Sequence, residues 1–245
     1  MQLIHLNSVE STNKYCEVLH LNQVEDFTCY YADTQTAGIG QRGNHWESQP
    51  SANLTFSLIL HPHFLHPSRQ FALTQTLALA LHDTLTQLLP SHTVHIKWPN
   101  DIYVDLHKIS GTLIQTYTNH SQITSAICGI GLNINQTSFP SWIPNPTSLA
   151  LLTGHHHPLL PLLQTLLQAI HQRYLQLQNG TDPTPDYLAH LLNFGQQARY
   201  RYHETEIQAT ITTVDQQGRL HLTTTSGQPL VCSIKEITLL SSTTP

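Results

Sequence analysis

A chain of 245 residues suits one large α/β domain or a large domain with a small appendage, and 39% apolar residues supply a core. Only 10% of residues are charged and the net charge is −5 with 18 histidines neutral, so the dense basic surface that nucleic-acid binding needs is missing. Four widely spaced cysteines form neither a C-x-x-C pair nor a disulfide framework, no apolar run approaches the roughly 18 residues of a membrane span, and residues 1–10 lack the basic and apolar regions of a secretory signal. These absences predict a cytoplasmic protein that binds neither nucleic acid nor membrane.

Ser11-Thr12-Asn13 precedes a short helix predicted over residues 14–21, and either hydroxyl suits its N-cap. Residues 27–32 read as a strand, 34–46 as a glycine-punctuated loop, and 53–60 as a strand with one buried face. Phe71, Leu77, Leu81, Leu85 and Leu88 recur at helical spacing within 68–89, and Pro90 stops that helix. The next strand, 94–98, puts Val94, Ile96 and Trp98 on one face and His95 and Lys97 on the other. Residues 102–104 and 108–117 make a hairpin turning at Asp105-Leu106-His107.

The apolar stretch 125–135 belongs to a central strand. A proline-rich loop, 137–147, carries Trp142; a helix over 159–177 ends at Asn179-Gly180, and a short one follows at 186–193. Residues 198–240 then alternate with period two, turning at 215–218 and at Ser226-Gly227, the pattern of a small β-barrel. His155-His156-His157 reads as a solvated loop, since no further metal ligand has recognisable spacing.

Lysine is scarce. Of Lys14, Lys97, Lys108 and Lys235, two lie close together, in Lys97-Trp98-Pro99-Asn100-Asp101 and at Lys108. Lys97 either holds a specific anion or is the exposed face of its strand, and Trp98 reads as core. Asn100 and Asp101 offer hard oxygen ligands or cap the turn after Pro99. Gly38-Ile39-Gly40-Gln41-Arg42-Gly43 fits G-x-G-x-x-G, but it runs into Trp46 and a strand, with no acidic residue between Glu47 and Asp83. Both tests of a dinucleotide-binding fingerprint therefore fail. What remains is either a hairpin loop needing positive φ or a backbone N–H cradle, and Arg42 beside it suits phosphate.

The ordered series Ser11-Thr12-Asn13, 35–46, 51–54, 97–101, 108–114 and 129–135 resembles the biotin protein ligases. The resemblance implies a mixed α/β (α+β) sheet flanked by helices, related to class II aminoacyl-tRNA synthetases. It places this catalytic domain at 1–193 and a Src-homology-3-like barrel at 194–245. With the first motif at residue 11, it implies the monofunctional class without a DNA-binding domain. The implied enzyme activates biotin with ATP and Mg²⁺ as biotinyl-5′-AMP and passes the acyl group to one lysine of a biotin carboxyl carrier domain. A homodimer through the catalytic sheet is compatible with the resemblance. A lipoate or octanoate ligase or transferase of the same fold, and a non-catalytic small-ligand binder, are the alternatives.

By the same resemblance Lys108 and Arg42 are catalytic. Ser11, Thr12, Asn13, Gln35, Gly38, Ile39, Gly40, Gln41, Lys108 and Gly111 bind biotin. Arg42, Gly43, Trp46, Lys97, Asn100, Asp101, Asn133 and Trp142 bind ATP or the adenylate, with Asp101 toward Mg²⁺. The family loop usually reads G-R-G-R-x-G-R, whereas Ile39, Gln41 and Asn44 stand here at three arginine positions. That departure implies either weaker closure over the adenylate or a register shift in which Arg42 serves the missing role.

Overall fold

The computed structural model describes residues 1–240 except Lys235, and of Arg42 the backbone alone. Seven strands form the larger sheet: β1 (Gln2–Val9), β2 (Thr28–Gln35), β3 (Leu54–Leu60), β4 (Val94–Lys97), β5 (Asp101–Val104), β6 (His107–Thr118) and β7 (Ile123–Leu132). Their order is β1-β2-β3-β7-β6-β5-β4, with β1 parallel to β2 and every other pair antiparallel. The apolar strand β7 is thus the middle one, as its sequence predicts. β1 has no sequence signal because it is the edge strand and none of its residues is buried.

Period two sorts the sheet's two faces. Phe56, Leu58 and Leu60 of β3 and Ala126, Cys128 and Ile130 of β7 belong to the main core, together with α2 (Phe71–Leu88) and α4 (Leu159–Gln178). Ile59 and Ile127 join a small second cluster with Cys16 of α1 (Thr12–Glu17). All seven residues of β3 are buried, where alternation predicts a single buried face. The difference arises because α1 and a polar network cover the second face.

α1 starts earlier and stops sooner than predicted, and Leu21–Gln23 is a separate 3-10 turn. Ser11 occupies the N-cap, but its hydroxyl makes no capping bond, nor does that of Thr12. The β5–β6 hairpin closes through two residues, Asp105 and Leu106, at φ 45° and 68°, the left-handed pair that suits strand twist. Ser148 caps the unforeseen short helix α3 (Leu149–Thr153) by accepting from Leu151 N–H, and α5 (Thr184–Ala189) follows α4.

The smaller sheet contains β8 (Gln197–Tyr202), β9 (Thr205–Val214), β10 (Leu220–Thr224), β11 (Pro229–Cys232) and β12 (Ile237–Leu239), in the order β11-β10-β9-β8-β12. All its ladders are antiparallel, as the period-two pattern predicts, and none joins β11 to β12 among the described residues. The two sheets meet around the Trp98-Pro99 turn, whose peptide bond is cis. The Trp98 indole N–H donates to Gly218 O at 3.0 Å, and the buried Tyr187 hydroxyl donates to Pro99 O at 2.9 Å. This turn is therefore held from the smaller sheet and from α5 at once. It presents Lys97, Asn100 and Asp101 to the same side of the molecule.

Candidate active site

A cavity of about 330 Å³ opens on the α1 side of the large sheet and extends to the smaller one. Its first end is uncharged and hydrogen-bonding. Ser11, Thr12 and Asn13 are buried, and Gln35 Oε1 accepts from both the Thr12 N–H (2.8 Å) and the Thr12 hydroxyl (3.1 Å). Ser57 Oγ lies 2.7 Å from Thr12 Oγ1 and donates to Asn13 Oδ1 at 2.6 Å, while Asn13 Nδ2 reaches Leu113 O and Gln115 Oε1, both at 3.3 Å. The Ser11 hydroxyl has no partner among the described residues. A neutral ligand rich in amide-like donors and acceptors suits this end.

The second end is charged. Lys108 Nζ lies 2.8 Å from Asp101 Oδ1, the partners standing on adjacent strands β6 and β5. Lys97, on β4, donates to the Tyr103 hydroxyl at 3.1 Å. Burial holds the Lys97 ammonium below the usual lysine range, a shift that the Asp101 charge partly opposes. Among the described lining residues Asp101 is the sole carboxylate, so two ammonium groups face one acid. The excess positive charge in a partly buried site favours an anionic ligand. Asn100 is tied across to β6: its Nδ2 donates to Thr112 O and its carbonyl accepts from Thr112 N–H at 3.2 Å.

The glycine loop covers the space between these ends. Gly40 N–H donates to Asn44 O (2.7 Å) and Trp46 N–H to Gly38 O (2.9 Å), and a β-bridge joins Ile39 to His45. This fold-back lays the Trp46 indole on the backbone of Gly131, where an added Cβ would stand 2.2 Å from the ring. Lys108 Nζ is 5.8 Å from the centroid of the same ring. The Trp46 Nε1–H is buried without a hydrogen-bond partner among the described residues. A Cβ on Gly129 would likewise meet Asn13 Oδ1 at 2.2 Å. Gly129 and Gly131 thus make a floor on β7 that only glycine leaves flat.

Of the residues singled out in the sequence, Ser11, Thr12, Asn13, Gln35, Ile39, Gly40, Gln41, Trp46, Lys97, Asn100, Asp101, Lys108 and Gly111 all line this cavity. Trp98 lines it too, besides packing against the core. Gly38 and Gly43 shape the loop without lining the space, and the Arg42 side chain lies outside the described residues. Trp142 is 61% exposed on the proline-rich loop, and it does not line the cavity. Asn133 is buried outside the lining: its Nδ2 donates to Thr147 O at 3.0 Å, and its Oδ1 has no partner among the described residues.

Ser57 carries no signal in the sequence beyond that of its strand, and Gly129 and Gly131 belong to the motif at 129–135 without that motif giving them a place in the site. Sequence reasoning also missed Tyr200, Ile237 and Leu239 of the smaller sheet, which line the far side of the cavity. No local pattern marks those residues, because the approach of two sheets brings them there.

Comparison with known proteins bears on this arrangement. The model of the biotin/lipoate A/B protein ligase family matches residues 6–133. The chain is 31% identical over 231 residues to the bifunctional ligase/repressor BirA of Bacillus spizizenii, covering 92% of this chain and 70% of that one. It is 27% identical to the biotin--[acetyl-CoA-carboxylase] ligase of Paracoccus denitrificans, over 82% of this chain and 85% of the other. The fold superposes on the biotin protein ligase of Aquifex aeolicus in complex with biotin and ATP with a TM-score of 0.81, at 26% identity and 98% coverage of both chains.

The glycine floor has a measurable consequence. Gly131→Ala should expel the Trp46 indole and expose it. In a Trp142→Phe background, which removes the exposed indole, emission should shift to the red and acrylamide quenching should rise. Unchanged emission and quenching would show that Gly131 does not seat Trp46.

Proposed function

The chain belongs to the biotin/lipoate A/B protein ligase family, and from that membership we propose that its cavity binds biotin and ATP side by side and joins them. The protein is an ATP-dependent biotin protein ligase: it makes biotinyl-5′-AMP with release of pyrophosphate, then transfers the biotinyl group to a lysine of a biotin carboxyl carrier domain. One observation carries this reading. The neutral hydrogen-bonding end and the two-lysine end share one continuous cavity, in a fold that matches a biotin- and ATP-bound ligase along its length.

The chemistry follows from the two ends. The ureido ring of biotin is neutral and needs both donors and acceptors, which Ser11, Thr12, Asn13 and Gln35 supply. The preset bonds among Thr12, Asn13, Gln35 and Ser57 fix these groups before the ligand arrives, so little ordering is left to binding. The biotin carboxylate then reaches Lys108. A carboxylate oxygen must attack the α-phosphorus of ATP, which brings two anions together, and the Lys108 and Lys97 ammonium groups offset that repulsion. The bond from α-phosphorus to the bridging oxygen of pyrophosphate breaks as the new C–O–P linkage forms. In the second step an amine of the carrier attacks the acyl carbon and AMP leaves with the linking oxygen.

Asp101 orients Lys108 through their 2.8 Å pair, and its second carboxylate oxygen would contribute to Mg²⁺ binding. The residues fit this metal, which takes one or two carboxylates and draws its remaining ligands from water and substrate phosphates. Bound there, Mg²⁺ would neutralise phosphate charge. An adenine contact by Asn133 would use its unpaired Oδ1. The division into a catalytic domain over 1–193 and a small domain over 194–245 fits the change of sheet type between α5 and β8.

Biotin-dependent exchange of pyrophosphate into ATP measures the first step, with lipoate as the control. Lys108→Ala should lower this exchange by on the order of 10²–10³, the usual cost of one such donor. Exchange that survives the substitution, or that lipoate supports as well as biotin, would contradict the reading. With Ile39, Gln41 and Asn44 in place of loop arginines, biotinyl-AMP should also dissociate faster than from an arginine-bearing relative. Equal retention would show that closure does not depend on those charges.

A further inference from the structure

Lys97 stands directly opposite Asp101 in the β4–β5 ladder, which makes the two natural partners for an ion pair across the strands. The structure does not pair them so. Asp101 binds Lys108 on the other neighbouring strand, and Lys97 turns to the neutral phenol of Tyr103. Tyr103 lies two residues along β5 from Asp101, its register partners being His95 on β4 and Lys108 on β6. It accepts from Lys97 Nζ at 3.1 Å and offers the same ammonium its ring, 4.8 Å away at the centroid. The half-buried ammonium is thus held twice by one side chain, at no cost in opposing charge.

We propose that Tyr103 is a positioning residue for the first half-reaction: it diverts Lys97 from Asp101, keeping one ammonium free for the triphosphate and leaving the carboxylate to Lys108. The inference rests on reading the cavity as a biotin–ATP site. It assigns the spacing of the two cations to a residue that does not line the cavity. The titratable groups placed around Lys97 are His95 on its own strand, Asp101 and Tyr103 on β5, and Lys108 on β6. Without the phenol oxygen, the closest acceptor in register is Asp101. Lys97 would swing onto that carboxylate, its charge would be offset before ATP arrives, and Lys108 would have to share its partner.

The test is a cycle of Tyr103→Phe, Lys97→Met and the double variant in biotin-dependent ATP–pyrophosphate exchange. Tyr103→Phe should raise the KM for ATP by about tenfold, the size expected for one hydrogen bond to a charged group, with a smaller change in the KM for biotin. It should have no further effect once Lys97 is Met. The pH profile of 1/KM for ATP separates positioning from loosened packing. Wild-type binding should weaken as pH rises through the Lys97 titration, which burial places below the usual lysine range. In Tyr103→Phe this break should move to higher pH, because Lys97 gains a carboxylate partner; in Lys97→Met it should vanish. A KM for ATP within about twofold of wild type would overturn the proposal. So would an equal effect of Tyr103→Phe in the Lys97→Met background, or a break that stays or moves down. Absence of biotin-dependent exchange in the wild type would overturn the functional reading itself, and this inference with it.

Discussion

The ion pair between Asp101 and Lys108 joins two adjacent strands at the mouth of the substrate cavity, and the arrangement of the site follows from it. A partly buried carboxylate cannot be left alone without a large desolvation cost, and neither can a partly buried ammonium. Paired at 2.8 Å, each holds the other in place. The pair forms because β5 and β6 run as a tight hairpin whose ladder sets Asp101 opposite Gly111 and Tyr103 opposite Lys108, with a register shift between Ile102 and Tyr103 that leaves Gly111 three residues beyond Lys108. Gly111 supplies no side chain to separate them: a Cβ there would lie 3.0 Å from Asp101 Oδ1 and 3.3 Å from Lys108 Nζ. The Trp98-Pro99 turn, anchored by Gly218 O and by the Tyr187 hydroxyl, delivers Asp101 to that position.

The glycine floor does for the rest of the cavity what this pair does for its charged end. Gly129 admits the Asn13 amide against β7, and Gly131 admits the Trp46 indole. Larger residues at either place would push aside the helix α1 end or the loop. The hydrogen bonds that preset Thr12 and Asn13 need that close approach, so the polar end of the cavity is a packing outcome as much as a matter of side-chain chemistry. The buried Trp46 N–H, without a partner among the described residues, fits the same picture. An unsatisfied donor inside a protein costs roughly 1–3 kcal/mol.

Much of this was legible in the sequence for definite reasons. The alternation of Val94 to Lys97, the cluster of scarce lysines and the ordered motifs from Ser11 to Asn135 are local signals, and local signals survive without knowledge of tertiary contacts. The strand β7 announced its central place through an unbroken apolar run. The edge strand β1 could not, because none of its residues is buried and half-exposed strands carry little pattern. Ser57 reads as one polar residue in a β-strand until α1 is known to lie over it. Tyr200, Ile237 and Leu239 belong to the cavity only because the second sheet packs against the Trp98-Pro99 turn. Tyr103 reads as an ordinary strand aromatic: register sets it between His95 and Lys108, and only the folded side chains show Lys97 reaching its hydroxyl.

The central claim is that one cavity lets the biotin carboxylate attack the α-phosphorus of ATP. Its most direct measurement follows oxygen. Biotin labelled with ¹⁸O in its carboxylate is incubated with ATP and carrier domain for a single turnover, and the AMP released is weighed by mass spectrometry. The account predicts one ¹⁸O in AMP and none in pyrophosphate, since the attacking oxygen stays on phosphorus when the carrier amine displaces it. Unlabelled AMP, or label recovered in inorganic phosphate, would contradict it.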